Sequence, residues 1–322
     1  MKQTTKTLNQ LAKEFLSVKS ALIFCHIRPD GDTLGSAFAL ALAMKQRGIE
    51  TDVVCDGDIP EKYSFNKTFC FLKPENVLKK YEIHIAVDVA GEHLLGRGWG
   101  IYVSTEKRYC IDHHPSNSRF ATDLYLEYAP STTLIIHRLI NEMGVEINKE
   151  IAECLLIGII TDTGNFMHNS TNEECFAVAG KMLSLGANFQ NIINNVFKNQ
   201  SKARSTLYAS VMSKMRYCLD DKLAIITVRN KDLLDLSLKE DETEGFVDYP
   251  LTVRGIEVAV SLLESKKDLY RVSFRSKGKV DVNAVAQEFG GGGHKFASGC
   301  VIHGFYEEVL EKIIRAVDIN IY

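Results

Sequence analysis

The sequence predicts an α/β protein, with an N-terminal parallel-sheet domain flanked by helices and a smaller C-terminal α/β domain. The chain has 322 residues, more than one ordinary core needs. In its first part, short apolar runs alternate with segments of helical periodicity, which is typical of a parallel sheet. From about residue 200, strand-like runs dominate instead. We therefore expect a first domain at 1–186, a linker at 187–203 and a second domain at 204–322.

The first domain opens with a predicted amphipathic helix, because Leu8, Leu11, Ala12, Phe15 and Leu16 recur at helical spacing. This mixed segment lacks the unbroken apolar core of a signal peptide. Strands are predicted at 21–27, 51–55, 83–88 and 109–112. Helices are predicted at 33–47, 131–143, 150–161, 173–186 and 188–197.

The second domain is predicted to begin with a helix at 202–217, rich in Lys, Arg and Ser. Strands are predicted at 223–228, 256–263, 269–275 and 297–302. Helices at 282–289 and 305–317 bracket the last of these strands. Both domains thus combine helices with strands.

Composition excludes several classes of protein. The net charge of -3 and the pI near 6.3 argue against a protein that coats long duplex nucleic acid, although a local basic patch could still bind a small anion. No apolar run approaches the ~20 residues that cross a bilayer, so no membrane association is expected. The eight cysteines are scattered without a CxxC pair, which disfavours a zinc-thiolate site and suits a reducing cytoplasm.

Three potential metal ligands, His26, Asp30 and Asp32, lie within seven residues of one another. Pro29 and Gly31 interrupt regular structure, so this segment is predicted to be a loop between a strand and a helix. In open α/β sheets, ligands bind at such a position. A turn with capping carboxylates is the alternative, but crowded carboxylates favour compensation by a cation.

Three further acidic or histidine-bearing segments also follow apolar runs: Asp88, Asp112-His113-His114 and Asp162. Each alone could be a cap, a turn or a surface group. The strands before Asp88 and Asp112 should end at one edge of the sheet, and Asp162 stands at the end of the predicted helix 150–161, so we expect these side chains to meet the first group. We expect only one of the two histidines to be a metal ligand, since consecutive side chains diverge.

This mixture of carboxylates and imidazoles without thiolates favours Mn²⁺ or Mg²⁺. There are too many ligands for one catalytic ion. Two ions about 3.5–4 Å apart, bridged by one carboxylate, would use the whole set and could clamp a phosphoryl group during in-line displacement.

The C-terminal domain carries a predicted anion-binding loop at Gly290–Gly293, followed by His294. Successive glycines let backbone N–H groups approach an anion, whereas a flexible turn is the alternative. Upstream, strand alternation places Arg271, Ser273 and Arg275 on one face. Such a basic run is usually a solvated sheet edge. We favour Arg275 as a phosphate contact.

Together these motifs resemble the DHH phosphoesterase family, named for its Asp-His-His triplet. The segments His26–Asp32, Asp88, Asp112–His114 and Asp162 match its four motifs in order. The glycine loop with Ala297-Ser298-Gly299 is similar to the family's DHHA1 substrate-binding domain, although Ser298 stands where a second alanine is common.

The resemblance implies a role for each matched residue. One metal ion would be held by His26, Asp30 and Asp88. The other would be held by Asp32, Asp88, His113 and Asp162, so that Asp88 bridges two divalent ions. Mn²⁺ is favoured because two histidines contribute, and Mg²⁺ is the alternative. The catalytic residues would be His114, which contacts the phosphate, and Asp112. The substrate contacts, in a cleft between the domains, would be Arg275, Ser276, Gly291, Gly292, Gly293 and His294.

Within the family, length and domain content resemble the nano-RNase A-like branch, which degrades very short RNAs and removes the 3′-phosphate of 3′-phosphoadenosine 5′-phosphate. This implies a cytoplasmic, metal-dependent phosphodiesterase or exonuclease for short oligonucleotides or nucleotide bisphosphates, either a monomer or a homodimer. A cyclic- or linear-dinucleotide phosphodiesterase is the main alternative. An inorganic pyrophosphatase or polyphosphatase is disfavoured by the glycine loop, and a RecJ-type exonuclease would need a longer chain. The full ligand set disfavours a non-catalytic nucleotide-binding protein.

Overall fold

The computed structural model describes residues 5–321. By internal contacts the chain divides into two units, one up to Asn199 and the other from Gln200 onward. Each unit has a sheet and its own apolar core. Within residues 5–321, no helix has both the length and the apolar character required to cross a membrane.

The first unit is built on a five-stranded sheet in which all paired strands are parallel. Its strands are β1 (Ser20–Phe24), β2 (Glu50–Val54), β3 (Ile83–Val87), β4 (Arg108–Asp112) and β5 (Asp123–Leu126). Their order is β2-β1-β3-β4-β5, so the sheet grows outward from β1 in both directions. The carboxyl ends of β1 and β3 therefore flank the topological switch point, where ligands bind in open α/β sheets.

Helices cover both faces of this sheet. They are α1 (Leu8–Leu16), α2 (Gly31–Gln46), α3 (Trp99–Tyr102), α4 (Thr132–Glu142), α5 (Lys149–Asp162), α6 (Glu173–Ser184) and α7 (Phe189–Phe197). Short 3₁₀ helices lie at Glu61–Tyr63, Pro74–Asn76 and Glu92–Gly98. The larger core includes buried residues of α1, α2, α4 and α5, and a smaller one lies on the opposite face around Phe24 and Tyr102.

A close contact between α4 and α5 helps to position the site. A Cβ added to Gly158 of α5 would lie 2.4 Å from Cγ2 of Thr133, in the first turn of α4. Only glycine allows this approach, because any larger residue would push the two helices apart. The amino end of α4 is thereby packed against α5.

The second unit contains a six-stranded mixed sheet in the order β10-β11-β9-β8-β7-β6. Its strands are β6 (Arg216–Cys218), β7 (Leu223–Val228), β8 (Val258–Lys266), β9 (Leu269–Ser276), β10 (Gly292–His294) and β11 (Ala297–His303). Its helices are α8 (Lys202–Met212), α9 (Asn230–Asp235), α10 (Val282–Gln287) and α11 (Tyr306–Ile321), with 3₁₀ helices at Glu240–Thr243 and Phe246–Thr252. Cores on both faces bury the apolar side chains of its central strands.

The structure confirms the predicted fold class and corrects several local predictions. The helix predicted at 202–217 ends at Met212, and Arg216–Cys218 forms an edge strand. The short strands β5 and β10 were not predicted. The basic strand β9 is not a solvated edge, because it pairs with β8 on one side and β11 on the other.

Candidate metal centre

The first candidate cluster forms where the loop after β1 enters α2. Asp30 is the N-cap of this helix, and its Oδ1 accepts the backbone N–H groups of Asp32 and Thr33, both at 3.0 Å. The helix begins at Gly31, which places Asp32 inside its first turn. Nε2 of His26 lies 3.7 Å from Oδ1 of Asp30, so this turn gathers two of the predicted ligands.

The second cluster surrounds Nε2 of His113. This atom lies 3.6 Å from Oδ2 of Asp162 and 3.9 Å from Oδ2 of Asp32. The other ring nitrogen, Nδ1, lies 2.9 Å from the carbonyl oxygen of Ala129. Because a carbonyl can only accept, Nδ1 carries the proton and Nε2 presents a lone pair, as a metal ligand requires.

Asp88 lies between the two clusters. Its Oδ2 is 3.8 Å from Nε2 of His26, and its Oδ1 is 3.6 Å from Nε2 of His113. The residue is buried and has a left-handed backbone with φ of 57°, a strained conformation for an aspartate that is often found at functional sites. The two oxygens of one carboxylate thus face two different histidines, which is the arrangement that a bridging ligand needs.

His114 contacts the same group through a different partner. Its Nδ1 donates to Oδ1 of Asp112 at 2.8 Å and lies 3.6 Å from Oδ1 of Asp88. Asp112 is fully buried and also accepts the amide of Asn117 at 2.7 Å. The expectation that the consecutive histidines diverge is wrong, because the rings of His113 and His114 lie 4.4 Å apart, both beside Asp88.

The electrostatics of the site call for a cation. Burial raises the pKa of Asp88 well above its ordinary value, and the negative charges of Asp32, Asp30, Asp112 and Asp162 raise it further. Several carboxylates crowded into one buried edge repel each other unless a positive charge compensates them. The residues therefore fit divalent metal ions by both donor chemistry and charge.

Two other carboxylates show how neighbouring groups offset this effect of burial. Burial raises the pKa of Asp32, although the hydrogen bonds that it accepts from Thr133 oppose that shift. Burial alone would also raise the pKa of Asp112, but the charge and hydrogen bond of His114 lower it to about 2. Asp112 thus stays ionised beside His114 throughout the neutral pH range.

Three buried hydroxyl residues at the start of α4 were missed by the sequence analysis. Asp32 accepts the backbone N–H of Thr132 at 2.6 Å, and both the N–H and the hydroxyl of Thr133, at 2.9 Å and 2.7 Å. The hydroxyl of Thr132 donates to Oδ1 of Asp88 at 2.9 Å. Ser131 caps the helix. Consecutive hydroxyl residues at the start of a helix predict a cap, but not partners that lie 44, 100 and 101 residues earlier in the chain.

In the second unit, sheet register brings two predicted substrate contacts together. Arg275 of β9 pairs with Ala297 of β11, which pairs with His294 of β10. Directly paired residues project from the same face of a sheet, so Arg275 and His294 share a face. Nε of Arg275 also donates to Asp248 at 2.9 Å, a partner that the sequence analysis missed.

The glycine-rich segment is partly a strand. Gly292–His294 pairs with β11, and a Cβ on Gly291 would lie 2.2 Å from the carbonyl oxygen of Gly299. Glycine at 291 therefore allows a close approach between two backbone segments, whatever else the segment binds. Ser276 is buried, and its hydroxyl donates to the carbonyl oxygen of Val280 at 2.7 Å.

Comparison with known proteins agrees with this geometry. The family model described as the N-terminal domain of the DHH family matches residues 20–159, and that of the DHHA1 domain matches residues 220–321. The bifunctional oligoribonuclease and PAP phosphatase NrnA of Thermus thermophilus is 30% identical over 92% of this chain and 88% of its own length. The chain belongs to the DHH family.

Two further relatives extend the comparison. The bifunctional oligoribonuclease and PAP phosphatase NrnA of Bacillus subtilis is 26% identical over 88% of this DHH chain and 89% of its own length. The crystal structure of an exopolyphosphatase-related protein from Bacteroides fragilis superimposes with a TM-score of 0.87 at 26% identity, covering 97% of this chain and 95% of that one. These similarities span both units of the DHH chain.

Proposed function

We propose that this DHH chain is a two-metal phosphoesterase that hydrolyses short oligonucleotides to mononucleotides and converts 3′-phosphoadenosine 5′-phosphate to AMP. The relatives that carry these activities in their names match the chain over most of its length. The observation that carries the two-metal proposal is Asp88, whose oxygens face His26 on one side and His113 on the other. A site for one metal ion would not require the two oxygens of Asp88 to face different histidines.

The ligand sets follow from the two clusters. His26, Asp30 and Asp88 would hold one divalent ion. The second would be held by Asp32, His113 and Asp162 together with Oδ1 of Asp88. Mn²⁺ is favoured over Mg²⁺ because each set contains an imidazole. When bound, the ions supply positive charge to the oxygens of the reacting phosphate.

His114 acts on the phosphate through Nε2, since its Nδ1–H is committed to Asp112. Asp112 is a positioning residue, because it is fully buried and reaches the substrate only through His114. Its hydrogen bond orients the imidazole, so that Nε2 is presented to a phosphate oxygen. Asn117 and the backbone N–H of His113 hold this carboxylate in place.

The second unit binds the part of the substrate that does not react. Arg275 and His294 share one face of its sheet and provide cationic or hydrogen-bonding groups for a terminal phosphate. Asp248 accepts a hydrogen bond from Nε of Arg275, and the carbonyl oxygen of Phe274 accepts one from Nη1. These bonds orient the guanidinium and leave the N–H groups of Nη2 and the second N–H of Nη1 as candidate donors to a phosphate oxygen. The backbone N–H groups of Gly291–Gly293 are further candidate donors.

Product analysis on a substrate panel tests this function. The panel holds labelled two- to five-mers of RNA and DNA, 3′-phosphoadenosine 5′-phosphate, a cyclic dinucleotide, pyrophosphate and a short polyphosphate. We expect Mn²⁺-dependent release of mononucleotides from the shortest RNAs and of AMP from the bisphosphate, both abolished by excess chelator. Turnover of only pyrophosphate or polyphosphate, or full activity in chelator, would reject the proposal.

A further inference from the structure

The hydrogen bonds of Asp32 determine which of its oxygens can reach a metal ion. Oδ1 accepts two donors, the N–H and the hydroxyl of Thr133, so both of its lone-pair positions are occupied. Among residues 5–321, Oδ2 accepts only the N–H of Thr132, and it lies 3.9 Å from Nε2 of His113. One position thus remains, on the oxygen that faces the histidine. Asp32 is arranged to bind an ion through Oδ2 alone.

Because the carboxylate of Asp32 can only accept hydrogen bonds, it sets the direction of the hydroxyl hydrogen bonds around it. The hydroxyl of Thr133 must donate to the carboxylate, so it accepts from the hydroxyl of Ser131 at 2.9 Å. Ser131 in turn accepts the backbone N–H of Leu134 at 3.3 Å. These hydrogen bonds all run in one direction, from the helix backbone through Ser131 and Thr133 to Asp32. The side chains of these three residues are buried. Such fully satisfied buried networks hold side chains in one geometry.

Thr132 contacts both carboxylates at once. Its backbone N–H donates to Asp32, and its hydroxyl donates to Oδ1 of Asp88. That oxygen keeps one lone-pair position, and it lies 3.6 Å from Nε2 of His113. We propose that Thr132 is a positioning residue that couples the two metal sites by fixing the shared ligand Asp88 relative to Asp32. This inference rests on the two-ion site proposed above and is independent of the substrate.

Two substitutions separate this coupling from ordinary packing. Thr132→Val keeps the shape and the backbone N–H to Asp32 but removes the hydroxyl that holds Asp88. Thr133→Val removes the hydroxyl that donates to Asp32 and accepts from Ser131, so Asp32, which serves one ion, is the proposed ligand that it disturbs. We therefore expect Thr132→Val to weaken Mn²⁺ binding at both sites by about 10- to 100-fold, the range for lost partners of metal ligands. Thr133→Val should weaken one site.

Matched controls are available in the same unit. Thr132→Ser retains the hydroxyl and should restore Mn²⁺ affinity to within about threefold. Thr51→Val removes a buried hydroxyl that donates to the carbonyl oxygen of Ile49 at 3.1 Å, away from the site. Thr51→Val should lower thermal stability without changing Mn²⁺ binding. If the role of Thr132 were purely structural, Thr132→Val would give this same result.

The experiment is calorimetric titration of the metal-free full chain with Mn²⁺, supported by electron paramagnetic resonance of the coupled Mn²⁺ pair. Two ions in the wild type with weakened binding and loss of the coupled signal in Thr132→Val would support the inference. Two ions bound equally tightly by wild type and Thr132→Val would overturn it, while the proposed function would stand. Fewer than two ions in the wild type would instead reject the two-metal proposal. If Thr132→Val does not fold, Thr132→Ala gives the same comparison.

Discussion

Oδ1 of Asp88 lies 3.6 Å from Nε2 of His113, while the other oxygen of the same carboxylate faces His26. One buried side chain therefore belongs to both clusters, and its loss should affect both. Ionising this carboxyl beside several others also costs stability when no cation is present. These two properties lead to opposite effects of one substitution on function and on stability.

Asp88→Asn should abolish turnover and weaken Mn²⁺ binding at both sites. In chelator at neutral pH the same change should raise the melting temperature by a few degrees, because it removes a carboxyl whose raised pKa makes it costly in the folded state. The gain should shrink at lower pH, since the raised pKa of Asp88 means that the wild-type carboxyl then takes up a proton. Thermal melts in chelator and calorimetric titrations check both effects.

Asp52→Asn is the matched control, because Asp52 is a partly exposed carboxylate of the same unit that accepts the hydroxyl of Tyr81 at 2.5 Å. It should not raise the melting temperature in chelator, and Mn²⁺ binding should be unchanged. An Asp88→Asn protein that kept two tightly bound ions and normal turnover would show that Asp88 does not bridge.

The pair Asp112 and His114 should behave as one unit in catalysis. His114→Ala should lower kcat by roughly 10²- to 10⁴-fold, and Asp112→Asn should cause a loss of similar order. Because Asp112 acts through His114, the double variant should be no slower than His114→Ala. Steady-state kinetics of the two single variants and the double variant at saturating Mn²⁺ give the double-mutant cycle. If the two losses in kcat multiplied in the double variant, the residues would act independently and this division of roles would be contradicted.

Arg275 and His294 should contribute to substrate binding. Arg275→Ala and His294→Ala should each raise KM for a dinucleotide by about ten- to a hundredfold, the value of one charge-assisted hydrogen bond, with metal content unchanged. The control is Arg271→Ala, since Arg271 lies on the same strand and face and donates to Glu240 at 2.9 Å. It should leave KM within about threefold. Equal increases in KM for all three variants would indicate that Arg275 has a structural role and not a role in substrate binding.

The glycine segment should depend on backbone packing as well as on ligand binding. Gly291→Ala places a Cβ 2.2 Å from the carbonyl oxygen of Gly299, so it should separate β10 from β11 and lower the melting temperature even without ligand. Gly100→Ala, where a Cβ would meet nothing within 4 Å, should be neutral. A fully stable Gly291→Ala protein with raised KM would instead assign Gly291 to ligand contact alone.

Hydrophobic periodicity predicted most strands and helices because these elements bury apolar faces of their own. It failed where an element is very short, as in β5 with four residues and β10 with three. The end of α8 was also missed, since the basic and polar run after Met212 has no pattern that distinguishes a helix from an edge strand.

The clustering of these carboxylates and histidines could be predicted because the strands before His26, Asp88 and His113 end at one sheet edge, while Asp162 ends an apolar helix. Thr132 and Thr133 could not be predicted, because their role depends on Asp32, 100 and 101 residues away, and on the way α4 packs against the sheet. Asp248 was missed for the same reason, since its contact with Arg275 joins a 3₁₀ helix to a strand.

The central claim is that Asp88 bridges two ions, and anomalous diffraction from crystals grown with Mn²⁺ tests it most directly. We predict two manganese peaks about 3.5–4 Å apart, one beside His26 and the other beside His113, with one oxygen of Asp88 bound to each. A single peak, or two peaks of which only one is bound by Asp88, would contradict the account.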